Sequence, residues 1–496
     1  MLLRSGIAAF TIFYPVSIAW AIPATDEGAE RLTAAFQTYL GSAEGVVTVV
    51  PQGDIYELKI DGAPLLGKVA DMQVEFEIPE LTYQLTDNGD GTWKVAEDQD
   101  LTWSFKVPGL FEQSGSASLE SGGTWDESLK AFTEQKGVVT DMIVDTVQYA
   151  PKDDGAEAGS TAQEPEVLSR DHQRTGRTEY ELAGSAGENG GVDQVMEYRV
   201  EDLEQSQELM IGATGAPIQI GMRSPGYEGT MRIEEARNEG ILSLMAWFVA
   251  HPSKELITGA QEELRSELSA AMPLWDDLSM DATMRDLKIT SPVGEFGVDE
   301  MEFMIGMTGA VAEGRLQEKV KISGLRIPQQ ILPAWGASLV PEEAEFDIAI
   351  SDYDLAALAG LAIRGFDLSA DDPFASIQPE QALNAIIPQG AFRASIAPSY
   401  LKGADYEIGF EGDARIGPEQ ASEGTARITA TGLDKIEEAL AAAPPEAAGQ
   451  PLMMLRMARA MSQQGENGEL LWQIDLAAPD TLKVNGQVIS GPTQQP

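Results

Sequence analysis

Cysteine is absent from all 496 residues. This excludes disulfides, thiolate metal sites, cysteine nucleophiles and thiol redox chemistry, and leaves stability to the core alone. Histidine is nearly as scarce. His172 and His251 stand far apart in sequence, and neither belongs to a His-x-His or His-Glu-x-x-His pattern, so a zinc centre or a serine triad has little to recruit. There is no Gly-x-Ser-x-Gly elbow, no P-loop and no Gly-x-Gly-x-x-Gly fingerprint, which removes the common signatures of hydrolases, kinases and dehydrogenases. Cations are few: 33 Lys and Arg stand against 80 Asp and Glu, a formal charge of −47. Such a field repels phosphate backbones and excludes nucleic acid as a partner; it also disfavours docking on anionic lipid. It reads as a strongly solvated, salt-tolerant surface or as a site for a basic partner. Long apolar runs are missing beyond the first residues. The longest, Ile241–Ala250, is far below the ~20 residues of a membrane-spanning helix. Hydrophobic residues still make up 43% of the chain, enough for a packed core.

What is present begins at the N-terminus. Arg4 precedes a mostly apolar run from Ile7 to Ile18, and Ala19-Trp20-Ala21 follows. This is the n-region, h-region and A-x-A pattern of a secretory signal peptide, residues 1–21, and it predicts export to the periplasm as a soluble protein. With no cysteine after the leader, a lipoprotein anchor is not expected.

The mature chain alternates between two periods. Helical spacing of Leu32, Phe36, Tyr39 and Leu40 predicts a helix from Asp26 to Leu40, stopped by Gly41. From Val46 the period is two. Tyr56, Leu58 and Ile60 alternate with polar residues, as do Met72–Ile78, Leu81–Leu85 and Leu101–Val107, the pattern of antiparallel strands with one buried and one wet face. Asp87-Asn88-Gly89-Asp90-Gly91 reads as a hairpin turn; it lacks the ligand spacing and distal Glu of a calcium loop. An acidic, aperiodic stretch near 151–171 reads as a loose loop that contains Asp171 and runs up to His172, and Gly184–Gly191 as a second turn. Ile233–Ala250 carries a broad apolar face and is predicted helical. Ser253 caps a second helix after His251-Pro252, and His251 reads as a helix-terminal group. Strands return with Met301–Met307, Phe346–Ile350 and Tyr406–Phe410. Helices are predicted at Asp354–Ile363, Pro379–Ile386, Leu433–Ala442 and Pro451–Ser462, and closing strands at Leu470–Leu476 and Leu482–Val488 beside the turn signals Asn467-Gly468 and Asn485-Gly486. Pro64-Leu65-Leu66-Gly67 and Pro292-Val293-Gly294, each leading into a strand, form a faint internal echo without a strict period.

The expected fold class is α+β: predominantly antiparallel curved β-sheets, a helical segment in the middle, and helices packed on the C-terminal half. After the leader, a β-rich region 22–232 precedes a region 233–496 that opens with a helical hairpin. The two form either one continuous body or two domains.

Methionine is the most suggestive residue type. Met453, Met454 and Met457 share one predicted helix, and Met301 and Met304 one strand with Phe303. They read as gap-filling core or as an adaptable surface for an apolar ligand. Met304 points opposite to Met301 and Phe303 in a strand.

Several stretches carry a resemblance to a known family. They are His251-Pro252-Ser253-Lys254-Glu255 with Ala271-Met272-Pro273-Leu274-Trp275-Asp276, then Ser291-Pro292-Val293-Gly294, Leu332-Pro333-Ala334-Trp335 with Leu339-Val340-Pro341, and Leu482-Lys483-Val484-Asn485-Gly486. Together they resemble the domain of unknown function 2125 family, exported proteins of Gram-negative bacteria. The resemblance implies export and β-rich architecture; it carries no catalytic motif.

The functional expectation is a non-enzymatic periplasmic envelope protein that binds an apolar ligand such as a lipid, or a protein partner. No cofactor, metal or catalytic residue is expected. The alternative is a hydrolase of cell-envelope polymers working through paired carboxylates, at least one with a raised pKa.

Overall fold

The computed structural model describes residues 22–66, 75–150, 166–210, 217–370, 372–418, 422–477 and 481–490. The leader, the first half of the Met72–Ile78 strand and most of the acidic stretch lie outside these residues.

One sheet organises the chain, and every pairing in it is antiparallel. β1 (Val47–Gln52) pairs β2 (Ile55–Ile60). Next come β3 (Glu75–Glu77) and β4 (Leu81–Asp87), which share one edge of β5 (Thr92–Val107). From β5 a plain meander runs through β6 (Phe111–Asp126), β7 (Ala131–Tyr149), β8 (Val167–Ala186), β9 (Val192–Leu209) and β10 (Ile218–Ala236). β10 then pairs β11 (Asp277–Ser291) over twelve residue pairs, so hydrogen bonding continues unbroken across the long insertion between them. The meander goes on through β12 (Gly294–Thr308), β13 (Gly314–Ser323), β14 (Glu343–Tyr353), β15 (Phe392–Lys402), β16 (Glu407–Ile416) and β17 (Glu423–Thr431). β17 pairs β19 (Leu470–Ala477). The far edge of β19 is shared by β18 (Gln463–Gln464) and β20 (Thr481–Val484), and β21 (Gln487–Ser490) ends the sheet. Asn485 and Gly486, at φ 51° and 79°, make the β20–β21 turn; two positive-φ residues are what a two-residue hairpin of this twist requires, so the strand read as Leu482–Val488 is a hairpin.

Helices occupy the connections. α1 (Asp26–Leu40) starts at an N-cap in which Thr25 Oγ1 accepts from Gly28 N at 3.0 Å. The short α2 (Ala63–Leu66) precedes β3. Between β10 and β11 lie α3 (Asn238–Ala250), α4 (Lys254–Gly259), capped by Ser253, and α5 (Gln261–Ala271). Between β14 and β15 lie α6 (Leu355–Gly365) and α7 (Pro379–Ile386), and after β17 come α8 (Leu433–Ala441) and α9 (Pro445–Ala460). None of the described helices is long and apolar enough to cross a membrane.

Several further expectations need correction. The helix read as Pro451–Ser462 begins at Pro445 and holds Pro451 inside it. The helix read from Ile233 begins at Asn238, because Ile233–Glu234 are still paired with Leu278–Asp277 and the ladder outcompetes local helical spacing. The acidic stretch ends earlier than 171, since β8 begins at Val167; Asp171 and His172 are strand residues. The internal echo is not carried by the structure: Pro64 lies in α2, whereas Pro292-Val293 make the β11–β12 turn.

The core is divided. Ala29, with Leu32 and Phe36 of α1, packs on Val47, Tyr56, Leu58 and Leu85. Trp247, Leu264 and Phe366 join α3, α5 and the segment after α6. At the other end of the sheet, Leu455, Ala458 and Met461 of α9 pack on Ala430, Leu433 and Trp472, and Trp472 Nε1 donates to Ala458 O at 2.7 Å. Helices thus cover one sheet face at its two ends.

Candidate functional site

Strand alternation and register sort every strand residue onto one of two faces. One face is a ladder of charges. Lys136–Glu181 (2.8 Å), Arg199–Glu228 (2.8 Å), Glu228–Arg285 (3.0 Å), Arg285–Glu300 (3.2 Å), Lys321–Glu302 (2.8 Å) and Lys319–Glu345 (2.7 Å) bridge adjacent strands. The guanidinium groups of Arg285 and Arg199 hold the Glu228 carboxyl below its ordinary range. A depression of about 880 Å³ opens here, floored by backbone and lined by Lys136, Glu181, Arg199, Glu228 and Asp281. His172 lies on this face, with Nδ1 2.7 Å from Asp145. These exposed pairs hold surface side chains in place and contribute little each.

The opposite face carries the apolar members of the alternating sets. Register aligns Met196, Met231, Met280 and Ile305 across β9 to β12. It places Met301 beside Met284 and Ile322, and Phe303 beside Ala282 and Val320. Val320 faces Phe346, Leu316 faces Ile350, and Ile348 faces Ile396. Phe346 and Phe410 are in ring contact at 5.6 Å. Toward the sheet ends this face lies under α1 and α9; in the middle it does not. Leu316, Phe346, Ile348, Ile350, Ile396 and Ile416 are each 37–47% exposed.

Departures from regular pairing align from β6 to β12. They fall at Ala117–Asp141, at Thr175–Gly176 opposite Asp202, at Ser224-Pro225, and at Asp286. Asp141, Asp202 and Asp286 take φ near +50°, as bulge residues do, and aspartate tolerates that region better than most. On the apolar face along this line Ala117, Thr175, Leu203, Ser224, Leu287 and Val298 are buried. Ser224 Oγ accepts from Gly226 N at 3.1 Å and lies 2.9 Å from Arg285 O, restoring partners the bulge removes. Ser399 does the same beside Pro398 in β15, accepting from Asp347 N and donating to Ala397 O. Pro225 and Pro398 lack the ladder N–H, which is why these prolines sit at irregularities.

The same face changes character toward β5. Glu97 accepts from Ser121 Oγ at 2.7 Å and from Gln99 Nε2 at 2.9 Å. Gln135 Nε2 reaches Ser121 Oγ and Tyr180 Oη at 3.3 and 3.4 Å. Burial pushes the Tyr83 and Tyr180 phenols up, and the Glu97 charge adds to it. Tyr180 lies against Gly137, where a Cβ would come 2.4 Å from the ring.

The methionine candidates separate. Met301 and Phe303 are on the apolar face. Met304 is on the charged face, between Asp281 and Lys319 in register. Met453, Met454 and Met457 are 57–60% exposed on α9, Met453 and Met457 on the side away from Leu455. Alternation marks Phe346–Ile350 and Tyr406–Phe410 as strands, but nothing in the sequence places Tyr180, Met196, Met231, Met280, Leu316 and Ile396 on the same face, because only pairing shows that they share it. His251 is a helix-end group, its Nδ1 2.8 Å from Trp247 O and its ring stacked on Trp247. Asp87 and Asp90 accept from Gly89 N and Thr92 N, closing the β4–β5 turn. Among the described residues no group of three or more His, Asp and Glu is placed to hold a metal ion. Among the described residues each carboxyl displaced from its ordinary range, Glu228, Glu235 and Glu437 among them, is moved down rather than up.

No family model matches the chain, and no match is found among curated proteins or solved structures.

Proposed function

We propose that this chain is a non-enzymatic protein of the bacterial envelope that takes the acyl chains of a lipid on the apolar face of its sheet. The aligned bulges kink the strands along one line, and the burial of apolar-face residues on that line supports a bend toward that face. The face becomes the inside of a trough, and this accounts for the burial of Ala117, Leu203 and Leu287 along the line. α1 and the α8–α9 pair close its two ends. The leader pattern, and the resemblance to exported proteins, support a periplasmic setting.

The observation that carries this reading is the exposure of Leu316, Phe346, Ile348, Ile350, Ile396 and Ile416 on one continuous surface. Leaving some 40% of each side chain in water forfeits about 1 kcal/mol apiece relative to full burial. A sheet face of this composition is ordinarily covered, and a contiguous apolar patch marks a binding surface. The patch lies on strand interiors, where backbone groups are already paired. It therefore offers hydrocarbon contact and few hydrogen bonds, which suits acyl chains better than a protein interface with its polar rim. The carboxylate hydrolase needs a raised acid in a cleft; among the described residues the displaced carboxyls move the other way, so none of them favours that reading.

The test is native mass spectrometry with lipid extraction on protein purified from periplasm without detergent. A stoichiometric lipid is expected. A bare mass, together with no uptake of a fluorescent fatty acid, overturns the reading.

A further inference from the structure

In an antiparallel meander alternate connections leave the sheet at the same end. The β11–β12 turn, the β13–β14 connection and the α8–α9 insertion after β17 therefore share one end of the sheet, and they touch in series. Pro328 packs at Gly294, where a Cβ would come within 2.6 Å of it, and Gly297 and Arg326 exchange backbone hydrogen bonds at 3.0 and 2.7 Å. Tyr406 Oη donates to Leu339 O at 2.7 Å, the turn Ala337–Leu339 packs against α8, and α8 packs against α9.

This surface differs from the rest of the chain in charge. Acids make up 80 of 496 residues, about one in six, yet residues 324–341 and 447–465 contain none. Its cations are paired: Arg326 with Asp299, and Arg456 and Arg459 with Glu437. The result is a near-neutral patch on a protein of net charge −47. Apolar side chains project from it. Val293 and Ile331 are exposed at the tips of their connections, and Met453, Met454 and Met457 on α9. Gly449, Leu452, Met453, Arg456, Met457 and Ala460 line one shallow depression along the outer side of α9, turned away from the Leu455 that packs toward the sheet.

Charge decides what covers this patch. A second copy brings another −47 charge, a basic protein finds no acid in either segment, and an anionic surface finds no unpaired cation. A net-neutral bilayer asks for neither. It takes up projecting apolar side chains one by one, and the flexible methionine side chain suits a fluid surface.

We infer that α9 and the 324–341 connection are a docking surface for a zwitterionic lipid bilayer, over which lipid passes to and from the open part of the apolar face. The docking stands on the charge pattern; the exchange rests on the acyl-chain reading above. The path is short. Ile408 and Ile428 under α9 lead through Phe410 to Phe346 of the exposed patch.

The test mixes the mature protein with phosphatidylcholine vesicles and floats them through a density gradient. The wild type is expected to float with the vesicles at low and high salt alike, since the contact matches no net charge. Met453→Glu combined with Met457→Glu is expected to lower the floated fraction about tenfold. Both side chains are exposed, so the thermal midpoint is expected to stay within about 2 °C, and uptake of a fluorescent fatty acid from solution is expected to stay as well. Ile348→Lys, inside the exposed patch, is expected to float like the wild type. A wild type that stays off the vesicles, or a double variant that floats equally, overturns the docking surface and leaves the acyl-chain reading to be decided by the fatty acid. Flotation without fatty-acid uptake supports the docking and overturns the exchange of lipid. A wild-type dimer that the double variant splits into monomers assigns the face to a second copy and overturns the inference.

Discussion

Tyr180 and Ile348 lie on the same face of one sheet, yet the two halves of that face hold themselves together differently. From β5 to β9 the strands are 16 to 20 residues long, and beside Leu101, Trp103, Phe105, Leu119 and Met196 the face carries Gln, Ser, Thr, Gly and Tyr, several of which bond to one another across strands. From β13 to β16 the strands are 10 or 11 residues long, and apart from Glu318 and Ser399 the face is mostly aliphatic and aromatic. Here side chains contact their neighbours but remain a third to a half exposed. The first half satisfies its own surface. The second leaves apolar area open and is stable because its ladder and its charged face are complete. Completeness of hydrogen bonding permits an uncovered apolar surface, and that surface is where a ligand adds most.

The sharpest contrast lies between the helix-covered end and the open middle. Leu58 is 2% exposed under α1 and Ile348 is 47% exposed. Leu58→Ala is expected to cost about 2–5 kcal/mol, because the cavity cannot collapse between a helix and the sheet. Ile348→Ala is expected to cost about 1 kcal/mol or less. Denaturant unfolding of the two variants checks the difference; equal losses would mean that the middle is covered in solution.

A second contrast compares the faces. Gly137→Ala puts a Cβ within 2.4 Å of the Tyr180 ring, whereas at Gly221 the nearest atom, Thr290 Cβ, is 3.8 Å away. The first substitution is expected to destabilise by about 1–3 kcal/mol through overpacking. The second, on the charged face, is expected to stay within about 0.5 kcal/mol. Comparable effects would show that Tyr180 is free to leave its glycine.

Legibility in the sequence follows the same division. The aliphatic half was readable: Met301–Met307 and Phe346–Ile350 alternate openly, and their strands were anticipated. The polar half was legible in part: Leu101–Val107 of β5 alternates, but β8 does not. β8 places Ser169, Asp171, Gln173, Thr175 and Thr178 on one face and Arg170, His172, Arg174 and Arg177 on the other, so no hydrophobic period exists to detect, and strand structure there is imposed by its neighbours. α1 and α7 were read to the residue, since caps and periodicity are local. The site was legible only in part. Met301 and Phe303 belong to it, but the apolar face from Met196 to Ile396 is assembled from seven separate strands, and register leaves no trace in composition.

Ile348→Lys breaks the comparison from the ligand's side. Half-exposed on a strand interior, a lysine there can reach water along its own stem, so the thermal midpoint is expected to move by only about 1 °C or so, as for a surface change. Lipid recovered with the protein is expected to fall severalfold, because a charge now stands in the hydrocarbon path. The matching change in the polar half, Gln173→Lys, is expected to leave hydrocarbon loading in place. Loss of lipid in both variants, or in neither, would remove the distinction between the halves.

The smallest effect concerns pH and belongs to the polar half alone. Glu235, near the end of β10, is buried against the β8–β9 turn and sits at φ 56°. Its carboxylate accepts from Asn189 N at 2.6 Å and Gly191 N at 2.8 Å, and Arg237 Nη1 lies 3.0 Å away. The backbone N–H of Asn189 above all, then that of Gly191 and the Arg237 side chain, hold its pKa below the ordinary glutamate range against the opposing effect of burial. A carboxyl whose folded pKa is lowered contributes stability above its unfolded pKa and loses it as pH falls through the folded value. Wild type is therefore expected to exceed Glu235→Gln in thermal stability at neutral pH, with the gap closing as pH drops below the ordinary glutamate range. Hydrogen exchange at acidic pH is expected to rise first in the β8–β9 amides and later in β14 and β15, which no such carboxylate pins. A gap that stays constant with pH would mean that Glu235 acts by shape rather than charge, and simultaneous exchange in both regions would mean that the two halves open as one unit.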